Sequence, residues 1–159
     1  MATVEAALER RLPTLAICFG AQLLADLLGG EVVRDFDSRE RGTYDLTRTA
    51  DAAGDPLFAH LPVTFAAQCS HQDRITSLPD GATVLAESSL CPVQAFVLPD
   101  GVYAVQFHPE RSRADFQLQY EAKVADYAAQ GKKVNMLSPL RESPEAESIV
   151  RRFAELYLR

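Results

Sequence analysis

Two short stretches hold residue types able to do covalent chemistry together. The first ends in Cys18. Leu15, Ala16 and Ile17 follow Pro13 as a short apolar run and read as a buried strand. Gly20 stands where the chain must reverse, with freedom for a backbone angle other residues avoid. From Gln22 on, Leu23, Leu24, Leu27 and Leu28 fall on one helical face, and Gly29 and Gly30 stop the helix. A strand–turn–helix of this kind lifts the turn side chain to a helix N-terminus. Free N–H groups and the dipole there favour an anion, which predicts a thiolate accessible near neutral pH. The second stretch is His108-Pro109-Glu110. In an extended segment, residues two apart point to the same side, and Pro109 biases His108 towards that geometry. A carboxylate beside an imidazole fixes its tautomer and stabilises the imidazolium formed when the other nitrogen takes a proton. Cysteine, base and orienting acid are the parts of a nucleophilic triad. Singly, each part is more often structural: a cysteine after three apolar residues usually packs a core, and an isolated His-x-Glu carries real false-positive risk.

The elements that must position these residues can be read in order. Val4 to Leu12 is an amphipathic helix leading into the Cys18 strand. Glu31–Arg34 is a short strand, Asp37–Gly42 a charged turn, and Thr43–Arg48 a strand. Asp55-Pro56 opens a short helix with Asp as N-cap. Val63–Cys69 is a strand delivering Ser70-His71-Gln72-Asp73 to a loop. Thr83–Glu87, Val93–Leu98 and Val102–Phe107 are strands, the last two joined by Pro99-Asp100-Gly101. Arg113–Gln130 is a helix with Phe116, Tyr120, Val124 and Tyr127 as its core stripe. Ser143-Pro144 starts a final helix buried through Ile149, Val150, Phe153, Leu156 and Tyr157. Helices at both ends with strands between predict one layered α/β domain over residues 1–159.

Composition bounds the rest. Of 159 residues, 47% are apolar and 24% charged, which suits one domain with a real core. A net charge of −6 argues against nucleic acid or an anionic membrane as partner. No membrane-length apolar run and no signal peptide is present. Three cysteines, Cys18, Cys69 and Cys91, lack metal or disulfide spacing, which points to a reducing, cytoplasmic setting and to Cys69 and Cys91 as packing residues. His60 has no motif around it and reads as structural.

The chain resembles the class I, triad-type glutamine amidotransferase domains, and within them the glutaminase domain of GMP synthase. The resemblance rests on Cys18-Phe19-Gly20-Ala21-Gln22-Leu23-Leu24 with Leu28-Gly29-Gly30, Glu40-Arg41-Gly42 and Ser70-His71-Gln72-Asp73. It continues through Leu78-Pro79-Asp80-Gly81-Ala82, Gln94-Ala95-Phe96 and Val105-Gln106-Phe107-His108-Pro109-Glu110, in the family's order. It implies a flavodoxin-like α/β fold with a mostly parallel sheet flanked by helices. It also implies that Cys18 attacks the side-chain amide of L-glutamine to give a γ-glutamyl thioester. His108 would act as base and then acid, and Glu110 would orient it. The N–H of Phe19, beside Gly20, would serve the oxyanion, and Gln22, Ser70 and His71 would hold the substrate. No metal or other cofactor is implied.

The resemblance also implies two or three βα units ahead of the nucleophile strand and a glycine loop supplying a second oxyanion donor. Only seventeen residues precede Cys18, and the first glycine is Gly20. The chain therefore reads as N-terminally truncated: a clipped product, one whose sheet a second chain completes, or an inactive scaffold. No Gly-x-x-x-x-Gly-Lys or Gly-x-Gly-x-x-Gly occurs, so ammonia-acceptor chemistry falls to a partner synthetase. Three functions fit: a glutamine amidotransferase-type hydrolase, a γ-glutamyl peptide hydrolase of the same chemistry, and a catalytically impaired binding or regulatory remnant.

Overall fold

The computed structural model describes residues 2–158. In chain order the main elements begin with α1 (Ala2–Glu9), β1 (Thr14–Ile17), α2 (Phe19–Leu27), β2 (Glu31–Arg34), β3 (Glu40–Arg48) and β4 (Thr64–His71). There follow β5 (Asp73–Ser77), β6 (Thr83–Glu87), β7 (Ala95–Leu98), β8 (Val102–Val105), α3 (Arg113–Ala129) and α4 (Pro144–Tyr157). Six strands form one sheet in the order β1-β8-β7-β6-β3-β4, and β2 and β5 form a separate antiparallel ribbon.

Strand β8 explains the layering. All four of its residues are buried, as expected of a strand covered on both faces. Tyr103 and Val105 pack with Phe65, Phe107, Ile149 and Phe153, beneath α4. Val102 and Ala104 point the other way and pack with Ala21, Leu24 and Ala25 of α2, against which Val4 and Leu8 of α1 also rest. The α/β class read from the sequence is present.

The sheet is mixed, not mostly parallel. Among the described strands only β1 and β8 pair in parallel; β8–β7, β7–β6, β6–β3 and β3–β4 are antiparallel. For β7 and β8 the reason is the length of the connection. Three residues, Pro99–Gly101, join β7 to β8, and parallel strands need a crossover of a dozen residues or more.

Other elements differ from the sequence reading in detail. Ser70 and His71 belong to β4 and Asp73 to β5, so that motif is strand and not loop. Strand β3 begins at Glu40, inside the expected charged turn, because Glu40 pairs with His71 across the ladder. Asp55 accepts hydrogen bonds from the N–H groups of Leu57 and Phe58 at 2.9 and 2.8 Å, but no helix propagates from it. Val124 and Val150 are exposed on their helices. Gly42, at φ 131°, lies where a Cβ would overlap the Ser138 carbonyl, so only glycine lets the segment before α4 close over β3.

Candidate active site

The parallel register of β1 and β8 assembles the site. Thr14 lies opposite Val102 and Ile17 opposite Val105, so both strands finish at the same edge of the sheet. Cys18 follows at once, its N–H donating to the Val105 carbonyl at 2.7 Å. Gln106, Phe107 and His108 continue from β8, and the His108 N–H donates to Gln68 O of β4 at 2.8 Å. A short local geometry thus carries two segments ninety residues apart to one place.

Cys18 bears the strain at the strand–helix junction. Its φ and ψ are 51° and −104°, a region disfavoured for a residue with a side chain. Sequence alone points to Gly20 for the unusual angle. Gly20 instead lies in the first turn of α2, and a Cβ there would sit 3.6 Å from Ala16 Cβ, an ordinary contact. The strained turn at Cys18 presents the sulfur, and neither space nor backbone angle demands a glycine at position 20.

A cavity of about 290 Å³ opens beside the sulfur. Cys18, His108, Ser70, Arg41 and Arg111 line it. One side of α3 closes it through Phe116, Gln119, Tyr120 and Lys123. His108 Nδ1 is 2.7 Å from Glu110 Oε1, which leaves Nε2 as the free ring nitrogen. Arg111 Nε lies 3.3 Å from the same carboxylate oxygen. Burial works to raise the Glu110 carboxyl, but the hydrogen bond and charge of His108, with help from Arg111, outweigh it and hold the group below its ordinary value. Gln106 Nε2 donates to the sulfur at 3.6 Å.

The thiol itself runs against expectation. Burial pushes Cys18 above its ordinary value, with Glu110 adding to the effect, and the Phe19 N–H, Arg111 and Gln106 offset only part of it. The helix N-terminus therefore does not by itself supply a thiolate near neutral pH. Desolvation disfavours the anion more than these donors favour it, so the proton needs a base.

The remaining expected site residues divide between cavity and core. Ser70 and His71 are neighbours on a strand, so their side chains leave opposite faces. Ser70 pairs with Arg41 across the β3–β4 ladder, and both face the cavity. His71 pairs with Glu40 on the other face, where its Nε2 lies 2.7 Å from Glu40 Oε2 and its Nδ1 3.1 Å from Asp73 O. Glu40 also accepts from Ser88 Oγ at 2.7 Å and from Gln94 Nε2. Glu40, His71 and nearby Cys69 could geometrically hold a metal ion, but the carboxylate already meets three side-chain partners, His71, Ser88 and Gln94. The cluster is a buried polar brace between β3, β4 and the segment before β7. Gln22 is likewise turned inward, its Nε2 donating to Asp73 O at 2.9 Å and Gln106 Oε1 at 3.1 Å. The Phe19 ring is exposed, but its N–H at the start of α2 acts on the sulfur. Cys69 and Cys91 are fully buried and His60 bonds to Ser148 Oγ at 2.8 Å.

Sequence reasoning missed Gln106, Arg41, Arg111 and the α3 wall. Gln106 lies two residues before His108, the same spacing that links His108 to Glu110, so period-two alternation could have found it. Phe116 and Tyr120 at i, i+4, followed by Lys123, mark a helix face that is apolar and basic rather than purely core.

A cysteine at a strained strand–helix turn and a histidine–glutamate pair meet at one cavity on a layered α/β sheet. The profile of the family described as "Glutamine amidotransferase class-I" matches residues 1–125, and the chain belongs to that family. It is 38% identical over 114 residues to one subunit of the glutamine-hydrolyzing GMP synthase of Methanocaldococcus jannaschii, covering 71% of this chain and 58% of that subunit. It is 47% identical over 103 residues to the glutamine-hydrolyzing GMP synthase of Thermomicrobium roseum, covering 65% of this chain and 19% of that protein. The crystal structure of a glutamine amidotransferase from Thermotoga maritima superposes with a TM-score of 0.80 at 25% identity, over 99% of this chain and 67% of that one. The chain thus spans less than two thirds of the length of these two GMP synthase relatives. Among the described residues, no helix is long and apolar enough to cross a membrane.

Proposed function

We propose that the chain hydrolyses the side-chain amide of glutamine through a cysteinyl thioester and releases ammonia for a synthetase carried on a separate chain. The observation that carries this reading is the convergence of Cys18 and His108 on one cavity, with Glu110 bound to the far side of the imidazole. His108 Nε2 takes the thiol proton as Sγ adds to the amide carbon. The Phe19 N–H donates to the developing oxyanion. Collapse breaks the C–N bond, and the imidazolium returns its proton to the departing ammonia. Water, deprotonated by the same nitrogen, then cleaves the thioester to glutamate and regenerates the thiol. Glu110 fixes the tautomer that leaves Nε2 free and stabilises the imidazolium in both steps.

The cavity suits an amino-acid-sized ligand, lying at the lower end of the roughly 300–1,000 Å³ of small-molecule sites. Arg41, Arg111 and Lys123 line it, and among the described residues no carboxylate does, so it favours the end of the substrate bearing an α-carboxylate. The separate synthetase is supported by relatives in Methanocaldococcus jannaschii and Halobacterium salinarum, each named as one subunit of a GMP synthase.

A chloroketone analogue of glutamine tests the reading. Selective labelling of Cys18, suppressed by glutamine, is expected, and Cys18→Ser should abolish ammonia release with an unchanged circular dichroism spectrum. Labelling that glutamine does not suppress points instead to a γ-glutamyl peptide substrate. A folded protein that does not label has a binding role, and ammonia release by the Ser variant rules out the thioester.

A further inference from the structure

Two glutamine side chains form a one-way hydrogen-bond relay that ends on the nucleophile. Gln22, 9% exposed, donates from Nε2 to the Asp73 carbonyl and to Gln106 Oε1. Gln106, 1% exposed, donates from Nε2 to Cys18 Sγ.

The orientation of each amide is dictated and not free. A backbone carbonyl can only accept, so the end of Gln22 that meets Asp73 O must be its NH2 group. That same nitrogen reaches Gln106, so the Gln106 atom facing it must be the acceptor oxygen. Gln106 is then left with its NH2 group towards the sulfur. One carbonyl on β5 thereby decides, through two side chains, that the sulfur meets a donor.

We infer that Gln106 is a catalytic residue that stabilises the Cys18 thiolate by donating to it, and that Gln22 is a positioning residue that locks Gln106 in the donating orientation. This rests on the reading of Cys18 as nucleophile. A donor to sulfur favours the anion, because a hydrogen bond to the charged form is stronger than one to the neutral form. It also occupies a sulfur lone pair, which leaves the S–H free to point at His108. In a site where burial works against the thiolate, this compensation matters most.

The test is the pH dependence of iodoacetamide labelling of Cys18, read peptide by peptide. Gln106→Met and Gln22→Met remove one link each at similar volume. Each should lower the labelling rate at pH 7 by roughly tenfold, the effect of losing one hydrogen bond to a charged group. Each should also move the labelling midpoint to higher pH, and Gln106→Met should leave KM for glutamine near the parent value. Gln106→Glu should move it further. A folded Gln106→Met variant with the parent midpoint overturns the role of Gln106. A Gln22→Met variant with an unmoved midpoint overturns the relay.

A measurement on the unmutated protein guards against variants that do not fold. The side-chain amide 15N–1H signals of Gln106 should titrate together with Cys18 labelling and stop doing so in Cys18→Ala. Signals that stay fixed through the labelling midpoint overturn the inference. A chain that labels as expected yet releases no ammonia sinks the proposed hydrolysis and leaves the relay standing.

Discussion

Ile17 sits directly opposite Val105 in the one parallel pair among the described strands, and that register is what brings a sulfur and an imidazole to the same cavity. A one-residue slip would turn each side chain of β1 to the other face. The slip is resisted because β8 is buried on both faces, with Tyr103 and Val105 on one side and Val102 and Ala104 on the other. Site geometry and core packing are therefore the same constraint.

The strained turn should trade stability for chemistry. Cys18 holds φ 51°, ψ −104°, and such strain costs about 1–3 kcal/mol. Cys18→Gly relieves it, less the roughly 0.5–1 kcal/mol that glycine loses in backbone entropy. The variant should be more stable than the parent by on the order of 1 kcal/mol in urea unfolding, and inert towards glutamine. A variant less stable than Cys18→Ala would show that the backbone there is unstrained.

Glu110→Gln should keep the fold and lose the chemistry. The amide cannot balance the imidazolium, and an N–H of the amide can meet Nδ1 and turn the wrong tautomer towards the sulfur. A loss of about 10²–10⁴ in kcat is expected, the range of general acid–base assistance. The sign of the pH effect is fixed by the direction of the shift. Because the folded carboxyl is held below its unfolded value of 4.5, its contribution is present above that value and fades as pH falls through the lower folded one. Stability profiles of parent and variant should therefore differ above about pH 4.5 and converge at more acid pH; parallel curves down to the acid limit would contradict the pairing.

Legibility from sequence follows the range of the interactions. Cys18 at a strand end, and His108 two residues from Glu110, announce themselves through local spacing. Gln106 shares that spacing, but the direction in which its amide points does not follow from it, since that comes from Gln22 and Asp73, far away in the chain. The layered α/β fold follows the resemblance, but the antiparallel run β6-β7-β8 is a matter of short connections, three residues in the case of β7 to β8, which leave no room for a crossover. The Ser70–Asp73 motif looks like a loop by composition, yet the buried Glu40–His71 pair draws it into a ladder. Tertiary pairing overrides local propensity there.

His71 separates a structural role from a substrate role. With its ring held between Glu40 and Asp73 O, His71→Leu leaves the Glu40 carboxylate short of a donor in a dry site. Removing one partner of a buried ionisable pair costs about 3–5 kcal/mol. Thermal unfolding should register that loss, while the folded fraction should bind glutamine with little change. Glu40→Gln should destabilise as well, since an amide cannot accept from His71, Ser88 and Gln94 together. Raised KM with unaltered stability in His71→Leu would put the ring back in the substrate site.

Alkaline stability should be governed by the two core thiols. Burial raises Cys69 well above its ordinary value and pushes Cys91 up to about 12, while either thiol in the unfolded chain ionises near 9.0. Above pH 9 the unfolded chain then binds fewer protons than the native one, so stability falls as pH rises, by about 1.4 kcal/mol per pH unit for each thiol. Tyr103, raised by burial and by its contacts with Tyr157 and Asp55, adds in the same direction at still higher pH. Cys91→Ala removes one such thiol. Its urea midpoint should fall less steeply than the parent's between about pH 8 and pH 10.5, by the equivalent of about 2 kcal/mol, with reductant present throughout. Equal slopes for parent and variant would mean that Cys91 reaches solvent in the folded protein, contrary to its full burial.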